Sequence, residues 1–348
     1  MRAFGANTEK SGEILDMKSI FLGGDEIFRV YSDNTLAELQ KELGAERICY
    51  QKAEVVSHPE AFSDVEFIFS TWGMPAFTVE EIKTFLPSLK AIFYGAGTVK
   101  GFAKPFLDCG VRIFSAWGAN AVPVAEYTVA QILLANKGFY QSARAYRSRC
   151  GREVALSHFR ASRGNFGAKV GIIGAGMIGK MVIRALASYK LEVLVADPYL
   201  TDEAASELGA KKVSLEEIFS ECDVVSNHVA NLPETVGMMR YEHFASMKSN
   251  ATFINTGRGA QVREADLIRA MRERPSLTAV LDVTVDEPPR EDSELYALDN
   301  IFLTPHIAGS AGDEVARMGE YMLEEYRRYI GGEQTRYEIT EKMLATMA

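Results

Sequence analysis

Cysteine is scarce: four residues in 348 (Cys49, Cys109, Cys150, Cys222), scattered and with no CxxC pair. That spacing offers no disulfide framework, metal site or redox couple, and it fits reduced thiols acting as small buried hydrophobes in a cytoplasmic protein. Long apolar runs are missing too, and none nears the ~18 residues that cross a bilayer. Positive charge is short. Lys and Arg number 38 against 47 Asp and Glu, a formal net charge of −9, which argues against nucleic acid or an anionic membrane as the main partner. There is no repeat and no low-complexity linker. Residues 1–16 are polar and lack the apolar core of a signal peptide. Met17 directly precedes the first strand-like run, so 1–16 read as an N-terminal extension, or as the result of a start site placed too early.

What is present is ample core material, 47% hydrophobic residues, in a length that suggests about two domains. Strand-like runs alternate with helical patterns, which makes the class α/β with mainly parallel sheets. In the first third the strands read as 19–22, 47–50, 66–70, 91–94 and 112–114, with helices at 35–43 and 79–85 between them. A long Ala-rich helix is expected from about Pro123 to beyond Tyr140, with Asn120 as N-cap and Pro123 in its first turn. Further strands read as 224–228, 252–255, 277–281 and 301–303, and a last amphipathic helix as 313–329. The stretch 141–165 carries six arginines and reads as a solvated loop or subunit interface, or else as an anion site for a phosphorylated substrate.

The most informative segment is Val170-Gly-Ile-Ile-Gly-Ala-Gly-Met-Ile-Gly179. An apolar run at 169–173 leads into Gly174-x-Gly176-x-x-Gly179; a helix-like stretch (180–189) and a second apolar run (191–196) follow, closed by Asp197. Strand, glycine turn, helix, strand and acid is the order a dinucleotide site needs. Gly174 permits the tight turn, Gly176 lets backbone approach a pyrophosphate, and Gly179 lets helix and strand pack closely. The helix start offers free N–H groups and a positive dipole end to phosphates. Asp197 can accept hydrogen bonds from both ribose hydroxyls and would repel a 2′-phosphate, which favours NAD over NADP.

Three later segments each follow a strand and carry the polar chemistry: Ile254-Asn-Thr-Gly-Arg-Gly259, Leu281-Asp-Val-Thr-Val-Asp-Glu-Pro-Pro289 and Leu303-Thr-Pro-His-Ile-Ala-Gly-Ser310. In open α/β sheets ligands bind beyond the strands' carboxyl ends. A carbonyl reduced by hydride beside a carboxylate needs a group to protonate the new alkoxide, and His306 suits that near pH 7. A carboxylate such as Glu287 fixes a histidine's tautomer and stabilises its cation. The Arg258 guanidinium can hold a carboxylate and polarise the carbonyl. Singly, Arg258 also reads as a salt-bridging loop residue and Glu287 as a surface turn. Their joint placement after consecutive strands favours the chemical role.

These motifs resemble the D-isomer-specific 2-hydroxyacid dehydrogenases, over about 18–333 and most densely at Gly95-Ala-Gly-Thr98, Ala119-Asn-Ala-Val-Pro-Val-Ala-Glu126 and the segments above. The resemblance implies an NAD-dependent enzyme acting on a small 2-keto or D-2-hydroxy acid. Arg258 would bind substrate, His306 would be the acid/base and Glu287 its partner. Asp282 would lie beside the nicotinamide carboxamide, with Thr256 also in the cofactor site. The N–H groups of Met177 and Ile178 would meet the pyrophosphate, and Ala96, Gly97 and Thr98 the substrate carboxylate. It further implies a discontinuous, flavodoxin-like substrate domain (17–116 with 317–348), a Rossmann-type NAD domain (117–316), an active site in the cleft between them, and a homodimer to which the helix near residue 123 contributes.

Three departures from the family pattern stand out: Tyr127 replaces a histidine that often follows Ala-Glu, a tryptophan common before the glycine loop is missing, and 141–165 is unusually basic. None touches Arg258, Glu287 or His306. Two rival readings share the fold. A formate dehydrogenase-like enzyme pairs its histidine with glutamine, so Glu287 argues against it. A redox-sensing scaffold or corepressor that binds NAD(H) could keep all three residues, yet the chain lacks long disordered flanks or docking tails.

Overall fold

The computed structural model describes residues 18–24 and 26–346; the expected extension 1–16 lies outside them. The chain divides into two units, Met1–Trp117 with Val315–Glu341, and Gly118–Glu314 with Lys342–Ala348. Each is built on one wholly parallel sheet flanked by helices, the α/β class expected. Among the described residues, no helix is long and apolar enough to cross a membrane.

The first unit holds β1 (Lys18–Leu22), β2 (Cys49–Tyr50), β3 (Val65–Ser70), β4 (Ala91–Tyr94) and β5 (Arg112–Ser115), in the order β2-β1-β3-β4-β5. This is the flavodoxin-like order. Parallel neighbours require crossovers, and the helices Asp33–Leu43 and Val79–Phe85 supply two of them. The second starts where Thr78 and Glu81 form a reciprocal capping box. One face of the sheet carries Phe69, Phe93 and Phe114 in register on adjacent strands, their rings stacked 5.2 and 5.0 Å apart. Tyr326 and Tyr329, on the helix Ala316–Ile330, meet this ladder edge-on. Aromatic burial is thus what returns the C-terminal helix to the first sheet.

The second unit holds β6 (Phe166–Ile173), β7 (Lys190–Ala196), β8 (Lys211–Lys212), β9 (Val224–Asn227), β10 (Thr252–Asn255), β11 (Thr278–Leu281) and β12 (Ile301–Leu303). Their order is β12-β11-β10-β9-β6-β7-β8. The winding reverses between β6 and β9, and such a reversal opens a crevice at the strands' carboxyl ends. Alternate residues feed opposite cores: Ile173, Phe253 and Leu281 pack with Phe219 and Phe244, while Ile172, Ile254 and Val280 pack with Val182, Ile183 and Leu186. Burial on both faces is why these strands read as continuous apolar runs.

Helix boundaries depart from expectation. The long helix spans Trp117–Asn136, so Asn120 lies inside it rather than capping it, and Pro123 is interior. It stops before Gly138, whose φ of 63° is left-handed. The basic stretch is helical in part, at Phe139–Ala145 and Arg152–Ala161. The helix of the glycine motif begins at Met177, three residues before the expected start. The last helix begins at Ala316, after a 3-10 turn at Gly312–Val315.

Candidate active site

The glycine turn joins β6 to the helix Met177–Leu186 at the point where the sheet reverses. Gly174 has φ +91°, and a Cβ there would come within 2.9 Å of the His228 carbonyl and the Val229 nitrogen. A Cβ on Gly179 would lie 2.0 Å from the Gly174 oxygen. Gly176 is different: it is exposed, and a Cβ there meets no described atom within 4 Å beyond its own chain neighbours. The first intrahelical bond runs from Lys180 N–H to Gly176 C=O at 3.0 Å, so the N–H groups of Met177, Ile178 and Gly179 precede the ladder. Open space over Gly176 beside free amides at a helix start fits a pyrophosphate. Asp197, at the end of β7, accepts from Ala175 N–H (Oδ2, 2.7 Å) and from Tyr199 N–H (Oδ1, 2.8 Å). The acid therefore braces the glycine turn.

His228 follows β9, and its backbone walls the Gly174 turn. Its Nε2 lies 2.9 Å from Ser226 Oγ, and its buried Nδ1 has no partner among the described residues. Burial pushes the imidazole from its ordinary 6.5 to about 4. Between those values the unfolded chain binds a proton that the folded chain does not, so stability falls as pH drops through that window. Urea midpoints measured across the window should show this slope, and His228→Gln should flatten it. An unchanged slope in the variant would assign the acid sensitivity to other groups.

Arg258 follows β10. A buried amide network shapes its loop: Asn227 donates to Asn255 Oδ1 and to Gln261 Oε1, Asn255 donates to the Arg258 carbonyl, and Arg258 N–H donates to Gln261 Oε1. Close approach requires the two glycines here, since a Cβ on Gly257 would meet Asn227 Nδ2 at 2.9 Å and one on Gly259 the Thr284 oxygen at 1.9 Å. The half-buried Arg258 guanidinium donates to its own loop at Gly257 C=O, 2.7 Å. No carboxylate among the described residues pairs with it, so the salt-bridge reading lacks an acid and the charge stays available to an anion. Thr256 is buried in the same loop, its Oγ1 3.1 Å from Thr128 Oγ1.

Glu287 and His306 are brought together. Nδ1 of His306 lies 2.7 Å from Glu287 Oε2. A carboxylate only accepts, so the proton sits on Nδ1 and Nε2 is left for chemistry. His306 is not a glycine, yet its φ is +55°. Asp282 holds it there: its carbonyl accepts the His306 N–H at 3.0 Å. Its buried carboxylate accepts from Thr304 Oγ1 (2.7 Å), Ile307 N–H (2.8 Å) and Ala308 N–H (2.9 Å). Asn120, within the long helix, accepts from Ser310 N–H at 2.9 Å. Sequence reading missed this support because it joins residues far apart in the chain.

The remaining expected site residues, Ala96, Gly97 and Thr98, lie in the first unit at the end of β4. There the Ala96 N–H is already bound to the Tyr94 carbonyl at 2.8 Å, while Thr71 and Ser115 hydroxyls donate to the carbonyls of Gly95, Ala96 and Gly97. The Gly97 and Thr98 N–H groups are those left to meet an anion.

Comparison with known proteins places this geometry. Residues 129–308 match the sequence model of the family "D-isomer specific 2-hydroxyacid dehydrogenase, NAD binding domain". D-3-phosphoglycerate dehydrogenase of Archaeoglobus fulgidus is 30% identical over 216 residues, 62% of this chain and 40% of that protein. The chain therefore spans well under two thirds of that relative's length. In fold it resembles D-mandelate dehydrogenase of Rhodotorula graminis (TM-score 0.77, 23% identity, 93% of this chain and 97% of that one). It also resembles the NAD-complexed D-isomer specific 2-hydroxyacid dehydrogenase of Lactobacillus delbrueckii (TM-score 0.77, 18% identity, 92% and 99%). The chain belongs to the D-isomer specific 2-hydroxyacid dehydrogenase family and carries that family's NAD-binding domain.

Proposed function

We propose that this protein is an NAD-dependent dehydrogenase that interconverts a small 2-keto acid and its D-2-hydroxy acid. The observation that carries the reading is the 2.7 Å contact between His306 and Glu287, in the same unit as a glycine turn suited to a dinucleotide and an arginine without a carboxylate partner. NADH, when bound, supplies the hydride. Arg258 binds the substrate carboxylate and polarises its carbonyl; Gly97 and Thr98, in the first unit, are the amides the family resemblance assigns to a carboxylate. His306 gives the alkoxide its proton from Nε2 during reduction and removes it during oxidation. Glu287 holds the imidazole through Nδ1 and leaves Nε2 for the reaction. Thr256 and Asp282 would help hold the nicotinamide end of the cofactor. The proposed assembly is a cytoplasmic homodimer, supported by exposed Leu134, Phe139, Phe159 and Phe166 on or beside the helices from Trp117 to Ala161.

Steady-state oxidation of NADH against glyoxylate, hydroxypyruvate, pyruvate, and branched and aromatic 2-keto acids tests the reading. Turnover is expected with at least one of them. Tight NADH binding with no turnover on any keto acid would instead favour the redox-sensing scaffold.

A further inference from the structure

The residue that departs most clearly from the family pattern in the support of the site is Tyr127. It lies on the helix Trp117–Asn136, half-buried, with its hydroxyl 3.2 Å from Thr304 Oγ1. Thr304 has one hydroxyl proton, and the 2.7 Å bond to Asp282 Oδ1 uses it, because a carboxylate can only accept. Thr304 Oγ1 is therefore the acceptor toward Tyr127, and the chain has one direction: Tyr127 O–H to Thr304 O–H to the Asp282 carboxylate. Oδ1 of Asp282 also takes the Ile307 N–H, and Oδ2 the Ala308 N–H. Those two amides immediately follow His306, whose positive φ leaves its backbone in a conformation that a side chain disfavours. Such a backbone persists only where its surroundings over-determine it.

We propose that Tyr127 is a positioning residue for His306: its hydroxyl, through Thr304, fixes the orientation of the Asp282 carboxylate that clamps the loop on the far side of the histidine. Tyr127 touches neither substrate nor reacting atoms in this role. It is the outermost donor of a cooperative chain that ends on a charged acceptor, where each bond polarises the next. The next residue on the helix, Thr128, meets Thr256 in the Arg258 loop, so adjacent side chains brace the two loops that the proposed reaction uses.

The inference rests on the dehydrogenase reading for its functional meaning, but its structural core is testable without turnover. Amide hydrogen exchange in the cofactor-free protein is to be followed by NMR at Ile307 and Ala308, with Ile254 and Val280 in the sheet as reporters of the fold, in Tyr127→Phe, Thr304→Val and the double variant. Tyr127→Phe should speed exchange at both loop amides about fivefold, the change one hydrogen bond of ordinary net strength carries. Exchange at Ile254 and Val280 should stay as in wild type. The double variant should exchange no faster than Thr304→Val alone, because Tyr127 acts only through Thr304. In turnover, kcat for keto-acid reduction should fall by a similar factor while KM for NADH holds. Unchanged exchange at Ile307 and Ala308, additive effects, or equal loosening of the sheet amides would each overturn the proposal. Unchanged exchange with turnover intact would remove this inference alone. The expected exchange pattern without any keto-acid turnover would remove the dehydrogenase reading and leave the positioning chain standing.

Discussion

Replacing His306 by alanine is expected to lower kcat for keto-acid reduction by about 10²–10⁴-fold, the range a positioned proton donor contributes. The change should leave NADH affinity near wild type, because the ring engages Glu287 and not the glycine turn. Reduction calls on the ring as proton donor and oxidation of the hydroxy acid calls on it as proton acceptor, so both directions should fall in His306→Ala. Glu287→Gln keeps the shape of the partner but removes its charge, so it should impair reduction less than His306→Ala. Combining the two should add little, since the pair works as one unit. Steady-state kinetics of the three variants, with NADH binding followed by fluorescence, decide the matter. Independent, additive losses would separate Glu287 from the histidine and leave it the surface turn its prolines allow.

The second large effect concerns the glycine turn, where two neighbouring glycines should fail differently. Gly179→Ala puts a methyl 2.0 Å from the Gly174 oxygen, so the helix start must move. Overpacking of that kind costs about 1–3 kcal/mol and should weaken both the fold and NADH binding. Gly176→Ala meets no described atom within 4 Å beyond its own chain neighbours, and the Gly176 backbone (φ −67°, ψ −165°) is extended rather than left-handed. Its thermal midpoint should therefore match wild type. NADH affinity should still fall by about tenfold or more, because the methyl occupies space the pyrophosphate needs and 1.4 kcal/mol is already tenfold. Calorimetric titration beside thermal unfolding separates the two cases. Wild-type NADH affinity in Gly176→Ala would mean that the pyrophosphate lies elsewhere.

The glycine turn also changes what Asp197 is expected to do. As a charge that repels a 2′-phosphate, its loss would simply relax cofactor preference. It also accepts the Ala175 N–H inside the turn. Asp197→Ala should thus weaken NADH binding itself while it narrows the gap to NADPH.

Much of this was legible in the sequence, for physical reasons. Strands such as Ala91–Tyr94 and Thr252–Asn255 are buried on both faces and flanked by turn residues, so apolar runs mark their limits closely. The glycine spacing reflects backbone approaches that a Cβ would block at Gly174 and Gly179. The start of the long helix was not legible. A proline normally marks a first turn, whereas here Pro123 sits six residues into the helix that begins at Trp117. Asn120, expected to cap that helix, holds Ser310 instead. The hydrogen bonds that fix His306 were hidden for a related reason. Tyr127 and Thr304 are 177 positions apart, and no local pattern reports that contact. Periodicity shows which side chains are buried, but it does not show which polar groups meet.

The central claim is hydride chemistry on a 2-keto acid of one hand, so the most direct measurement is the chirality of the product. The purified protein should be given NADH and the best keto acid of the panel, and the hydroxy acid resolved on a chiral column. The account predicts the D-enantiomer alone, and NAD reduction with the D- but not the L-hydroxy acid in reverse. An L-product, a racemate, or no reduction of any keto acid would contradict it.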